Sequence, residues 1–193
     1  MRNIITILFL LSGYTLMAQI SLDTIIQLNE INATFKATET SPVNYQNISK
    51  EDIKQKSIGQ EPAMLLSNTP SITYSVDGGH SQGYAYFRLR GLDQTRVNIT
   101  FDGIPLNDPM DQAFYFSNFA DILNSVDNIQ IQRGAGITKN GNASYAGSIE
   151  LFSEKLSNAE NYSFGLGYGS FKTLRTFASF NSGIKKNKAI NVR

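Results

Sequence analysis

Tyr162-Ser163-Phe164-Gly165-Leu166-Gly167-Tyr168-Gly169 alternates without a break: every even position is large and apolar or aromatic, and every odd position is Ser or Gly. Successive side chains on a strand point to opposite faces, so this stretch makes a strand with one apolar face and one nearly bare face. In a soluble sandwich the second face usually carries longer polar groups. The inner face of a barrel wall packed against a filled interior takes small ones instead. Gly169-Ser170-Phe171 reads as a turn, 172–181 as a second strand, and 183–188 as a basic turn into a third, Ala189-Ile190-Asn191-Val192. Residues 156–193 are therefore expected to be the first strands of a transmembrane β-barrel. Such barrels need at least about eight strands of roughly 9–11 residues, so three cannot close one. The expectation is of a truncated barrel, with the chain a fragment.

Upstream, residues 46–155 read as a small α+β domain with a mixed β-sheet and short helices. Ser49 can cap exposed helix N–H groups, Asp52 can answer from the first turn, and a short helix should run to about Lys56. Ala63, Met64, Leu65 and Leu66, with Pro62 at a first helical turn, predict a second over 61–67. Strand signals follow at 72–76, 84–90, 96–101 and 126–132, each bounded by Gly, Pro, Asn or Asp. Asp102-Gly103 is a tight-turn pair of the kind a hairpin needs. One more short helix is expected over 114–124, and long polar loops over 77–83 and 107–112.

The N-terminus carries a short basic start at Arg2, an apolar run from Ile4 to Leu11, and a looser stretch ending at Ala18, which is signal-peptide grammar. A spanning helix wants about 20 apolar residues, whereas Thr6, Ser12, Gly13 and Thr15 interrupt this run. Residues 1–18 are thus expected to be a cleaved signal, and 19–45 an extended, mobile segment. Any membrane insertion by the mature chain must use strands, because lipid demands internally paired backbone groups. The net charge of +1 comes from dispersed Lys and Arg and gives no footprint for nucleic acid. Cysteine is absent, so no disulfide, thiol nucleophile or cysteine metal site can form.

Residues from about Ile31 to Phe152 resemble the plug domain of TonB-dependent outer-membrane receptors. Three blocks carry the resemblance: Phe87-Arg88-Leu89-Arg90-Gly91, then Val97-Asn98-Ile99-Thr100-Phe101-Asp102-Gly103-Ile104-Pro105-Leu106, and Val126-Asp127-Asn128-Ile129-Gln130-Ile131-Gln132-Arg133-Gly134. A fourth, Asn140-Gly141 followed by Tyr145-Ala146-Gly147-Ser148-Ile149-Glu150-Leu151, resembles the Gly-rich end of the plug, with Asn140 where the family commonly has an aromatic. The resemblance implies a plug inside a barrel of about 22 strands. It further implies a receptor in the cell outer membrane, the plug facing the periplasm. A small ligand such as a siderophore-iron complex, haem or cobalamin would bind at the outer face. The TonB protein of the inner-membrane energising complex would pull the N-terminal segment.

Several residues take roles by the same implication. A TonB box would add as a strand to TonB, and Asp23, Thr24, Ile25, Ile26, Gln27 and Leu28 are the preferred stretch, with 30–33 the alternative and a plain linker the bland reading. Arg90 and Arg133 would contact acidic residues of the protein's own C-terminal barrel as a plug–barrel lock, or else pair within the domain with Asp102 or Glu150. Asp77, His80, Gln82, Asn107, Asp108 and Asp111 mark the ligand-side loops, since loops held by a rigid sheet are where binding tends to live. Tyr84, Tyr86, Phe114, Tyr115 and Phe116 either line an outer pocket or pack the core. Arg88 and Arg96 are read as ordinary surface cations, and His80, the single histidine, as a loop residue short of a metal site.

No catalytic set emerges: one His, no Cys, and a Gly134-Ala135-Gly136 stretch that leads to a turn rather than a helix argue against an enzyme. Neither a cofactor nor a resident metal is expected. The competing function is a secreted adhesion or structural β-protein whose alternating tail belongs to a soluble sandwich. Reading the gene past Arg193 separates the two, because only a transporter continues through many more strands with aromatic ends.

Overall fold

The computed structural model describes residues 36–79, 83–119, 121–135, 144–186 and 188–193, all within a unit that begins at Ala33. The expected signal peptide and the Asp23 to Leu28 stretch lie outside these residues.

The central domain runs β1 (Tyr45–Ser49), α1 (Lys50–Lys56), α2 (Pro62–Leu66), β2 (Ile72–Val76), β3 (Ala85–Leu89), β4 (Leu92–Asp93), β5 (Val97–Phe101), β6 (Ile104–Pro105), β7 (Val126–Arg133) and β8 (Gly147–Ser153). The start of α1 is set as its sequence predicts: Ser49 Oγ accepts the Asp52 N–H at 3.2 Å and donates to Asp52 Oδ2 at 2.9 Å. Acidic Glu51 and Asp52 in the first turn and Lys54 and Lys56 in the last match the helix dipole. Pro62 opens α2, where its missing N–H leaves nothing unpaired.

Five strands form a mixed sheet in the order β1-β7-β8-β5-β6, antiparallel throughout except for the parallel β5–β8 pair. A second, antiparallel sheet takes the order β2-β3-β4. Two hairpins close on two-residue turns whose residues both have positive φ, the geometry that matches strand twist. Asp102-Gly103 (φ 49° and 81°) joins Phe101 to Ile104, and Arg90-Gly91 (φ 54° and 79°) joins Leu89 to Leu92.

The large sheet has two unlike faces. Val97, Ile99, Ile129, Ile131, Ile149 and Leu151 are fully buried on one, against Ile53 of α1, Leu65 and Leu66 of α2, Phe87, Leu89, Phe114 and Phe116. Each such side chain contributes about 1.5–3 kcal/mol when removed from water. The alternate residues Asn98, Thr100, Gln130, Gln132, Ser148 and Glu150 are buried on the other face.

Four parts of the chain differ from expectation. Residues 114–124 are not one helix; 3-10 turns at Phe116–Phe119 and Ile122–Ser125 replace it, closed by Asn118 N–H to Tyr115 O and Asn124 N–H to Asp121 O. Phe114 packs edge-on to Phe116 and stacks on Phe119, a spacing that a regular helix cannot satisfy, and Asn124 and Asp121 bond to each other through their side chains. β1 and β8 were not legible as strands, and both owe their place to pairing with β7. The described part of the segment before β1 is pinned rather than free, since the Gln130 amide holds Ala37 by both of its backbone groups.

The tail forms an antiparallel sheet, β11-β10-β9, from β9 (Asn161–Tyr168), β10 (Leu174–Asn181) and β11 (Asn191–Val192). No closed barrel forms among the described residues. The small residues on one face of β9 have a visible reason: a Cβ on Gly165 would collide with the ring of Phe177, its partner on β10. Arg175 on this same face donates from Nη1 to Ser57 O at 3.0 Å and from Nη2 to Asn124 Oδ1 at 3.1 Å, so the bare face meets the central domain. The opposite face leaves Tyr162, Phe164, Leu166 and Tyr168 between 69% and 80% exposed.

Gly147 opens β8 at φ 156°, and a Cβ there would strike Gln132 O and Leu89 Cδ2. Gly147→Ala should therefore cost about 3 kcal/mol in a denaturant titration, through overpacking and the lost backbone freedom. Two buried carboxyls set a pH dependence. Burial pushes Glu61, whose Oε1 has no partner, from 4.5 up to about 7. Burial, reinforced by Asp102 and opposed by Lys36, pushes Glu150 from 4.5 up to about 7 as well. An acid with a raised folded-state pKa stabilises fully below its unfolded value and loses that contribution as pH rises through the folded one. Stability should accordingly fall between pH 4.5 and about 7, and the double variant Glu61→Gln, Glu150→Gln should flatten that slope in thermal melts across the range.

Candidate functional site

The turns after β2 and after β6 meet over a group of tyrosines. Tyr115 stands edge-on to both Tyr84 and Tyr86, with ring centroids 5.9 Å and 6.2 Å away. Tyr86 Oη donates to Asp77 Oδ2 and Tyr115 Oη to Asp111 Oδ2, each at 3.3 Å. Asp77 raises the Tyr86 hydroxyl pKa, and burial followed by Asp111 raises that of Tyr115. Tyr84 and Tyr86 are exposed while Phe114 and Phe116 are buried, so the aromatics divide between surface and core. The geometry supplies ring faces rimmed by hydroxyls and carboxylates, suited to holding a small ligand through contact area and hydrogen bonds.

Of the loop residues singled out from sequence, Asp77 and Asp111 join this cluster. Asp108 is spent on its own turn, accepting the Met110 N–H at 2.7 Å. Asn107 turns inward as a brace: its Oδ1 accepts the Ile99 N–H at 2.7 Å, and its Nδ2 donates to Val97 O at 2.9 Å and Gln112 O at 2.8 Å. His80 and Gln82 lie outside the described residues. No group of His, Asp or Glu able to hold a metal ion occurs among the described residues.

A second constellation gathers where β3 and β7 end. Arg90, left-handed in its hairpin turn, reaches back so that its Nη1 lies 3.0 Å from where a side chain on Gly134 would begin, beside Arg133. Arg133 donates from Nη2 to Asn44 Oδ1, and its Nε is buried without a partner. Neither guanidinium forms a salt bridge among the described residues. The two acids that sequence alone offered as intradomain partners are engaged elsewhere: Asp102 accepts the Ser153 N–H, and Glu150 sits on the polar sheet face near Lys36. Arg96 lies over the Tyr145 ring, and Arg88 stands on the exposed face of β3 across from Asp93.

Residues 37–148 match the family model described as the TonB-dependent Receptor Plug Domain. The chain belongs to this family. Its plug also resembles solved structures in fold. The siderophore receptor PiuA from Acinetobacter baumannii aligns with a TM-score of 0.60 and 19% identity, over 78% of this chain and 20% of that one. The alcaligin outer-membrane receptor FauA from Bordetella pertussis gives 0.61 and 16%, over 78% and 25%. The ferric-catecholate import receptor Fiu from E. coli K12 gives 0.58 and 20%, over 77% and 20%. The chain thus spans about a fifth to a quarter of the length of these receptors. A search of curated proteins found no match.

Sequence reasoning missed a plug residue that is dense in polar contacts. Gln130 has 0% exposure; its Oε1 accepts the Ala37 N–H at 2.6 Å and its Nε2 donates to Ala37 O at 3.0 Å and Asn47 Oδ1 at 2.9 Å. The available signal was an amide between two isoleucines in a strand core, a place where a polar side chain must find partners. Asn107→Ala should cost about 2–4 kcal/mol, because it strands the Ile99 N–H and the Val97 carbonyl. Hydrogen exchange should then quicken at residues 97–99 and 107–113, leaving β7 protected.

Proposed function

We propose that this chain is the plug and first barrel strands of an outer-membrane TonB-dependent active-transport receptor, with the plug gating uptake of a scarce nutrient. The observation that carries the reading is the tail sheet. Its small-residue face bonds to the plug, while Tyr162, Phe164, Leu166 and Tyr168 project from the other as an exposed apolar strip with tyrosines at both ends. A soluble sandwich would bury such a strip; lipid covers it in an outer-membrane barrel, whose aromatic girdles lie at the two interfaces. The adhesion-protein alternative has no corresponding feature.

On this reading residues 1–18 direct export and are removed, 19–45 carry the TonB-contacting stretch, 46–155 form the plug, and 156–193 begin the wall. The partners are the TonB protein, the rest of the receptor's own barrel and a small ligand. That the neighbouring structures include a siderophore receptor and a ferric-catecholate import receptor favours an iron chelate over haem or cobalamin as cargo. The tyrosine cluster with Asp77 and Asp111 is the plug's share of the ligand site. Arg90 and Arg133, which form no salt bridge among the described residues, serve as the lock against barrel carboxylates. Breaking one side of a buried charge pair costs about 3–5 kcal/mol, which suits a latch that opens only under work.

Deleting Asp23 to Leu28 from the full-length receptor should abolish uptake of radio-iron supplied on a panel of siderophores while leaving surface binding intact. Uptake equal to that of the parent would remove the stretch from the mechanism. Arg90→Ala with Arg133→Ala should loosen the plug, read as increased entry of large antibiotics that the outer membrane normally excludes. Unchanged exclusion would leave the arginines without a locking role.

A further inference from the structure

Three tyrosine rings and three carboxylates share the patch where the turns after β2 and β6 meet. Tyr84 and Tyr86 each stand at 88° to Tyr115, so the rings form right-angled corners, and both remain exposed. The Asp77 N–H bonds to Tyr84 O at 3.1 Å and ties that loop to the cluster. Asp77 and Asp111 accept the hydroxyls of Tyr86 and Tyr115. Asp93 is the third acid. After burial and Asp111, its charge also raises the Tyr115 hydroxyl pKa, which puts it within electrostatic reach of the rings.

What this patch offers a ligand is acceptor capacity and negative charge. Tyr86 and Tyr115 give their O–H groups to carboxylates, so each phenol has an oxygen lone pair and a ring face left to offer. Those two bonds are long, at 3.3 Å, and an ionised carboxylate has about four acceptor sites, so both acids can take a stronger donor. All three acids are exposed, and none forms a salt bridge among the described residues. Arg88, across from Asp93 on the same sheet face, offsets one charge of the three. Ring faces attract cations as well, and perpendicular tyrosines can bring two rings to bear on one point. The local structure does not need the charges. Asparagine could accept the same bonds: the two phenol hydroxyls, the Ala113 N–H that Asp111 Oδ1 holds at 2.7 Å, and the Thr95 N–H that Asp93 Oδ1 holds at 3.0 Å.

We infer that the tyrosine cluster selects a cargo presenting a protonated amine to the plug, with Asp77, Asp93 and Asp111 setting the preference for positive charge. The inference rests on the transport reading above and adds to it the chemical class of the ligand. An ammonium group donates to the carboxylates and phenol oxygens while its charge lies against the rings. A polyanionic iron complex of the catecholate kind meets like charge at the same place and is disfavoured.

The purified full-length receptor, with a 3-fluoro label on the Tyr115 ring, is titrated with benzylammonium, benzyl alcohol and benzenesulfonate while the fluorine NMR shift is followed. Benzylammonium should saturate the shift at about a tenth of the concentration that benzyl alcohol needs, with benzenesulfonate weaker still. The triple variant Asp77→Asn, Asp93→Asn, Asp111→Asn removes the charges and keeps the acceptors, and should bring benzylammonium to the level of benzyl alcohol. Absence of an ammonium preference in the parent, or a preference that survives the triple variant, overturns the inference. Iron uptake separates it from the transport reading. Cells receive, at limiting concentration, a ferric tris-hydroxamate with a pendant ammonium or the same complex N-acetylated, and the first should enter about tenfold faster. If neither enters while the ammonium preference holds, the cation site stands and the iron-chelate reading falls. If both enter at equal rates and the preference is absent, the transport reading stands and the cation site falls.

Discussion

The constraint on which the rest of the molecule depends is the two-sided alternation of β7 and β8. Ile129, Ile131, Ile149 and Leu151 face the helices, and Gln130, Gln132, Ser148 and Glu150 face the opposite way. A slip of one residue in the pairing would exchange the faces and bury the polar set among the aromatics. Two local features hold the register: a bulge between Val126 and Asn128, and Gly147, whose lack of a Cβ lets β8 enter hard against Gln132 O. The apolar side then seats α1, α2 and the β2-β3-β4 sheet, and the polar side receives the chain that precedes β1.

The contact between wall and plug is of a kind that ion-pair reasoning does not supply. Arg175 reaches a backbone carbonyl at the C-terminal end of α1, the negative end of the helix dipole, and an asparagine side chain. Its own ring contact with Phe177 and the Gly59 backbone beside its Cδ fix the long side chain in one place. Arg90 and Arg133 have the opposite arrangement: plug cations gathered at one corner with no carboxylate beside them among the described residues. The plug therefore presents one corner bonded to the tail strands and one corner whose two guanidinium groups form no salt bridge among the described residues.

Much of the fold was legible because its signals are local. The Ser49 cap, Pro62 at a helix start, the Asp102-Gly103 turn and the alternating β9 all appear where short-range chemistry puts them. Residues 114–124 misled because their helix-like apolar spacing is used for an aromatic stack instead, with Asn and Asp side chains competing for the turns. Of the loop residues, Asp77 and Asp111 took part in the tyrosine cluster, whereas Asn107 proved to be a brace, since nothing local tells an asparagine that faces a ligand from one that faces a strand. Gln130 went unnoticed for the same reason.

The sequence by itself determined most of the element types, the Asp102-Gly103 turn, the family and the barrel-like character of the tail, because backbone preference and side-chain periodicity act over a few residues. Only the tertiary structure decided that β5 and β8 run parallel, that Ala37 lies on Gln130, that Arg90 comes to rest beside Gly134, and that Arg175 meets the end of α1. These join residues from about 40 to over 100 positions apart. Such pairings depend on the packing of the whole core, which no short window of residues contains.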